Sequence, residues 1–236
     1  MHDTLCQTHR TVVIQKNLLA KNSQQAQLNR DHFHQRGVKT INILSSPGSG
    51  KTSLLERTLD EYGRRRKLGV LVGDLQTEND AQRMEGRGHP IVAITTGTVC
   101  HLEAEMVAVA CREIELQGLD LLVIENVGNL VCPASFDLGE DARVTLLSTT
   151  EGEDKPLKYP KAFKTAQLVV INKIDLADAV GFDREKALLN IRQVAPQASI
   201  VEVSARRGEG MSAWYAWLDS ILDQHAANKC EEVARH

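Results

Sequence analysis

No stretch of this 236-residue sequence approaches the roughly 20 consecutive apolar residues of a membrane span. Residues 1–10 are polar and lack the apolar region of a signal peptide. There is no internal repeat and no low-complexity tract. Charge of one sign is also scarce: 28 Lys and Arg against 31 Asp and Glu leave a net charge of -3. Without a basic face, nucleic acid is excluded as the main partner. Five cysteines (Cys6, Cys100, Cys111, Cys132, Cys230) are odd in number and widely spread, which does not suit a disulfide framework. These absences describe a cytoplasmic chain with neither membrane nor nucleic acid as its business. In a reducing compartment its cysteines are core residues, nucleophiles or metal ligands.

What is present is the balance of an ordinary globular protein, 42% apolar and 25% charged. The length suits one domain, or two small ones. From residue 39 onward, apolar β-rich runs alternate with helical spacing. Strands are expected at 40–44, 69–75, 90–96, 119–124, 143–147, 168–172 and 199–203. Helices are expected at 51–67, 78–86, 100–117, 184–194 and 211–224. This alternation predicts an α/β fold with a mainly parallel sheet flanked by helices. Residues 15–36 read as a polar, helix-permissive extension, and residues 1–12 as a loose end. The division is therefore 1–36 tail and helical extension, 37–225 α/β domain, 226–236 tail.

The run Ser45-Ser46-Pro47-Gly48-Ser49-Gly50-Lys51-Thr52 follows a strand and opens a helix. It matches the P-loop pattern G-x-x-x-x-G-K-S/T except that Ser45 stands at the first position. Gly48 and Gly50 let backbone N–H groups turn inward as an anion nest, and the helix end adds a positive dipole. Pro47, Ser49 and Ser53 complete the cradle. Lys51 can reach the β- and γ-phosphates, and Thr52 can put its hydroxyl on Mg²⁺. Asn172-Lys173-Ile174-Asp175 ends a later strand in the N-K-x-D arrangement of GTPases. Asp175 can accept from the N1–H and N2–H₂ groups of guanine, a donor pair adenine lacks. Asn172 can bond the other edge, and the Lys173 stem can lie on the ring. Ser204-Ala205-Arg206 resembles the loop whose backbone meets the guanine carbonyl. The ordered set points to GTP and GDP rather than ATP.

Two more strand ends face the phosphates. Asp74 can bind a Mg²⁺ water or orient the attacking water; the sequence does not choose between them. Glu125, in Glu125-x-x-Gly128, stands where GTPases carry Asp-x-x-Gly and can hold a Mg²⁺-bound water. Lys51, Asp74 and Glu125 are thus the catalytic candidates. Asp80 is a weaker one, explained as well by a helix start. No arginine finger is evident; Arg143 and Arg206 are candidates only.

Cys100-His101 and Cys132 belong to no nucleotide chemistry. The former pair is expected at a helix N-terminus, where a thiol pKa is depressed and the thiolate favoured. Two thiolates and an imidazole suit Ni²⁺ or Zn²⁺. Three ligands underfill either ion, which implies an open position or sharing across a two-fold axis. On spacing alone, though, such residues are more often unconnected.

Residues 43–52, 73–80, 95–102, 125–133 and 149–160 together resemble the HypB family, GTPases and nickel chaperones of nickel–iron hydrogenase maturation. The resemblance covers about residues 15–222. It implies a P-loop NTPase fold, and it implies that Cys100, His101 and Cys132 are metal ligands at a homodimer interface. It also implies GTP-promoted dimerisation and a switch region around Asp74. The partners it implies are a HypA-type nickel/zinc protein and the hydrogenase large-subunit precursor. The chain departs from family members that carry an N-terminal Cys-x-x-Cys-Gly-Cys motif or a histidine-rich tract; it offers only His2, Cys6 and His9, read as incidental. The urease-type nickel GTPase is a poorer match, because it usually shows Cys-Pro-His spacing. A nucleotide-gated scaffold that delivers no metal is the remaining alternative.

Overall fold

The structure is a computed structural model that describes residues 2–75 and 79–233, with side chains described for 17–75 and 79–223. His2, Cys6, His9 and Cys230 therefore fall outside the described side chains, and residues 76–78 outside the described chain. Helix α1 (His2–Arg36) leads into strand β1 (Lys39–Ser45) and helix α2 (Lys51–Glu61). There follow β2 (Leu68–Asp74), α3 (Asn79–Met84), β3 (Ile91–Thr95), α4 (Ala104–Ala110), β4 (Leu121–Gly128) and β5 (Ala142–Ser148). Two short helices, α5 (Lys155–Lys158) and α6 (Pro160–Lys164), precede β6 (Leu168–Asn172). The chain continues through α7 (Ala177–Val180), α8 (Arg184–Val194), β7 (Ser199–Glu202) and α9 (Met211–Val233).

The seven strands form one sheet in the order β3-β2-β4-β1-β5-β6-β7, and every pairing is parallel. Because alternate residues of a strand face opposite sides, each strand feeds two cores. Ile41, Ile43, Val70, Val123 and Val144 turn to one face, where Leu54, Leu55, Met84 and Trp214 from α2, α3 and α9 cover them. Leu71, Leu122 and Ile124 turn to the other, under Phe33 of α1 and Val107 of α4. Leu44, Leu147 and Ile171 share that second face under Phe163 of α6 and Ile191 of α8. Each such side chain contributes about 1.5–3 kcal/mol on burial.

Three differences from the sequence reading bear on the site. The helix expected from residue 100 begins only at Ala104 and ends at Ala110. Ile114 and Leu116 are both buried although they lie two residues apart; a helix would point them in nearly opposite directions, so the chain turns irregularly to bury both. Cys100 thus precedes the helix instead of sitting in its first turn, and the dipole argument for its thiolate lapses. Strand β4 runs four residues beyond the expected end at 124, reaching Gly128, so Glu125 and Asn126 are strand residues on opposite faces. Helix α1 begins at His2, where a loose end was expected.

Candidate phosphate, base and metal sites

The phosphate loop leaves β1 at Ser45 and enters α2 at Lys51. Gly48 and Gly50 have φ of +72° and +96°, which side chains bearing a Cβ rarely adopt. At Gly50 a Cβ would also stand 2.5 Å from Asn172 Nδ2. Lys51 is buried and donates to Ser45 Oγ at 2.9 Å. The departure from the P-loop pattern at Ser45 therefore has a use that the pattern hid: its hydroxyl holds the lysine head. Burial lowers the Lys51 pKa, against the opposing pull of Glu125 and other carboxylates.

Glu125, 2% exposed, accepts from Thr52 Oγ1 at 3.0 Å through Oε1, while its Oε2 is buried with no hydrogen-bond partner. Burial pushes its pKa up to about 7, with Lys51 opposing. A carboxylate oxygen left without a partner beside a threonine hydroxyl fits a hydrated divalent cation. Asp74 closes β2 and accepts from the Leu75 N–H. Two residues outside the sequence candidates touch the loop. Glu151 accepts from Ser49 Oγ, and Lys155 donates to Ser46 Oγ at 3.2 Å while lying 3.4 Å from Glu151. They lie within residues 149–160, one of the stretches that carry the family resemblance. Ser53, in the first turn of α2, receives a long 3.4 Å bond from Arg83.

The base end is built from two loops tied to the phosphate loop. Asn172 donates to Ser49 O at 2.9 Å and accepts from Ala205 N at 3.1 Å. Lys173, at φ +62°, donates to Gly48 O at 2.7 Å. Thr149 Oγ1 donates to the Lys173 carbonyl at 2.8 Å and fixes that strained turn. Asp175 lines a 260 Å³ cleft with Gly50, Ser53, Ala205 and Arg206. Ser204 anchors the last loop through the Arg207 N–H. Arg57, another residue that sequence reasoning missed, donates to the carbonyls of Ala205 and Arg206. Only long-range packing of α2 against that loop reveals it. Pro47 and Arg206 are exposed.

The metal candidates converge. One donor atom from each of Cys100, His101 and Cys132 lies within 4.8 Å of the others, and the two sulfurs are 3.1 Å apart. The Cys100 neighbour raises the Cys132 thiol pKa. His101 stacks on Phe136 with ring centroids 3.9 Å apart, and neither of its ring nitrogens has a hydrogen-bond partner. Burial lowers its pKa, the nearby Glu103 opposing, so the imidazole stays neutral and able to ligate at pH 7. Asn129 ties the two loops by donating to Cys100 O at 3.2 Å and accepting from Val131 N at 2.9 Å. Gly128 packs against the phosphate loop; a Cβ there would sit 3.0 Å from Pro47 Cα. Cys111 caps the end of α4, its thiol pushed up to about 12 by burial, which disfavours the thiolate. Arg143 is buried against Glu140 and is committed there.

A glycine-built phosphate loop between strand and helix, set in a parallel sheet, defines a P-loop nucleotide-binding protein. The sequence model for the "CobW/HypB/UreG, nucleotide-binding domain" matches residues 39–202. The hydrogenase maturation factor HypB of Azotobacter vinelandii is 51% identical over 211 residues, covering 89% of this chain and 69% of that protein. The crystal structure of the hydrogenase maturation factor HypB from Archaeoglobus fulgidus superposes with a TM-score of 0.81 at 42% identity, covering 86% of this chain and 99% of that one. The structure of HypB from Helicobacter pylori in complex with nickel gives 0.82 at 37% identity, covering 88% and 96%. The chain belongs to the HypB family of hydrogenase maturation factors. Among the described residues, no helix is long and apolar enough to cross a membrane.

Proposed function

We propose that the protein is a GTP-hydrolysing nickel metallochaperone that helps insert nickel into the hydrogenase large subunit. The observation that carries this reading is the convergence of Cys100, His101 and Cys132 on the segments that follow β3 and β4, the second of which pairs with the strand that carries the phosphate loop. The nickel complex of the Helicobacter pylori relative supports nickel as cargo; Zn²⁺ suits the same donors. Pro47 to Ser53 cradle the phosphates, and Asn172, Lys173, Asp175 and the 204–206 loop hold guanine. Thr52 and Glu125 would hold Mg²⁺, which supplies charge neutralisation at the phosphates. Lys51 would meet the same charge, and Asp74 would hold either a Mg²⁺-bound water or the attacking water. Arg143 is committed elsewhere and Arg206 is exposed at the base loop, so slow turnover without a partner is expected.

Three donors from one chain leave an ion underfilled, which favours a homodimer that shares it across a two-fold axis. GTP, by drawing in the strand ends that carry Asp74 and Glu125, would promote that dimer and alter the ligand set through Gly128 and Pro47. A HypA-type nickel/zinc protein and the large-subunit precursor are the partners this role requires. The test is complementation with Cys132→Ala. Loss of hydrogenase activity that added nickel restores supports delivery. Loss that nickel does not restore, with nickel binding intact and partner docking gone, overturns it in favour of a scaffold.

A further inference from the structure

The strand that carries Glu125 toward the nucleotide carries Asn126 toward the opposite face, among apolar neighbours, and Asn126 is 1% exposed. Its Oδ1 accepts from the N–H of Leu102, the residue after His101, at 3.3 Å, and from Val127 N at 3.0 Å. Its Nδ2 donates to Asn42 Oδ1 on β1 at 3.2 Å. Asn42, 0% exposed, donates in turn to Glu140 Oε1 at 3.1 Å. Glu140 Oε1 accepts from Arg143 Nε at 2.9 Å and also from Nη2, and its Oε2 accepts from Leu138 N at 2.7 Å. The Arg143 guanidinium reaches the carbonyls of Ala134 at 3.3 Å and Phe136 at 3.0 Å. Those two residues follow Cys132, and the Phe136 ring is the one stacked on His101.

The chain of bonds therefore runs from just after His101, beneath the sheet, to just after Cys132. A buried ionic network is no cheap way to stabilise a core, since apolar residues of the same volume commonly do as well. Fully satisfied, it fixes geometry. Helix α1 grips the same two loops from outside: Asn22 accepts from Ala104 N and donates to Asp137 O, each at 2.8 Å.

We infer that Asn126, Asn42, Glu140 and Arg143 are positioning residues that hold the loop bearing Cys100 and His101 in register with the loop bearing Cys132. Asn126, one residue beyond Glu125, is the point where the nucleotide side meets that relay. This rests on the metal-site reading above. Groups that orient metal ligands typically change affinity 10–100-fold when lost.

The experiment is anaerobic Ni²⁺ titration of the full GDP-bound chain, reading affinity and the thiolate-to-nickel charge-transfer band. Asn126→Ala and Asn42→Ala are expected to weaken nickel by about tenfold or more and to alter the band, with GDP affinity retained. Leu218→Ala, in the core under α9 on the opposite face of the sheet, lowers stability without touching the relay and should leave the band unchanged. Wild-type affinity and band in both asparagine variants overturn the inference. If neither variant binds GDP, Arg143→Lys replaces them: it keeps a cation at Glu140, loses carbonyl bonds, and must weaken nickel. A wild-type protein whose band does not need Cys132 fails the metal-site reading itself, and the relay with it.

Discussion

Asp175 is 7% exposed at its side chain and lies 3.6 Å from Arg207, so its charge is partly balanced before any base arrives. Two donors on guanine, N1–H and N2–H₂, match its two oxygens. Asp175→Asn presents a donor where guanine also has one. Each lost bond to a charged group is worth about 1.5–3 kcal/mol, so GDP affinity should fall by about a hundredfold or more, while xanthosine diphosphate, with a carbonyl at C2, binds the variant better than GDP does. Calorimetry with the two nucleotides checks this. Glu125 makes a different prediction. Its pKa of about 7 stands above the ordinary 4.5, so the folded state holds the proton more tightly than the unfolded one. Its burden on stability is absent below pH 4.5, grows as pH rises from 4.5 to 7, and is complete above 7. Glu125→Gln keeps an acceptor for Thr52 and removes that slope. Nucleotide-free Glu125→Gln should therefore gain more melting temperature over wild type at pH 8 than at pH 5; an equal gain at both contradicts it.

Helix α8 spans the 184–194 window that its spacing indicates, and its start is set by Asp183, whose Oδ1 accepts from Lys186 N at 3.0 Å. Asp183→Ala should cost about 1 kcal/mol, read as a lower urea midpoint with an unchanged slope. Elements like this one are legible because the apolar period and the cap agree. The strands are legible for a related reason: a sheet covered on both faces writes itself as continuous Val, Ile and Leu runs. The phosphate and base loops follow, because glycine at positive φ and a motif at a strand end are local signals. What the sequence hides is tertiary. Nothing local distinguishes a helix that ends at Ala110 from one that runs to residue 117, since burial of Ile114 and Leu116 is decided by the sheet beneath. Arg57, Glu151 and the Asn126–Arg143 relay act across long stretches of chain. The approach of Cys132 to Cys100 came from resemblance, because a separation of 32 residues is not by itself a ligand spacing.

At the scale of the whole molecule, β4 lies between the two chemistries. Glu125 on one face bonds Thr52 of the phosphate loop, Asn126 on the other bonds the loop after His101, and Gly128 packs on Pro47. On the proposed function, a strand with both attachments would couple the two sites, and such coupling is reciprocal: if GTP changes nickel affinity by some factor, nickel changes GTP affinity by the same factor. The most direct measurement is anaerobic Ni²⁺ titration of the Mg²⁺-supplied protein, once with GDP and once with a non-hydrolysable GTP analogue. The account predicts different nickel affinities in the two states, with the difference abolished by Cys132→Ala. Equal affinities in both states would contradict it, leaving a nucleotide site and a metal site that share a strand but not a function.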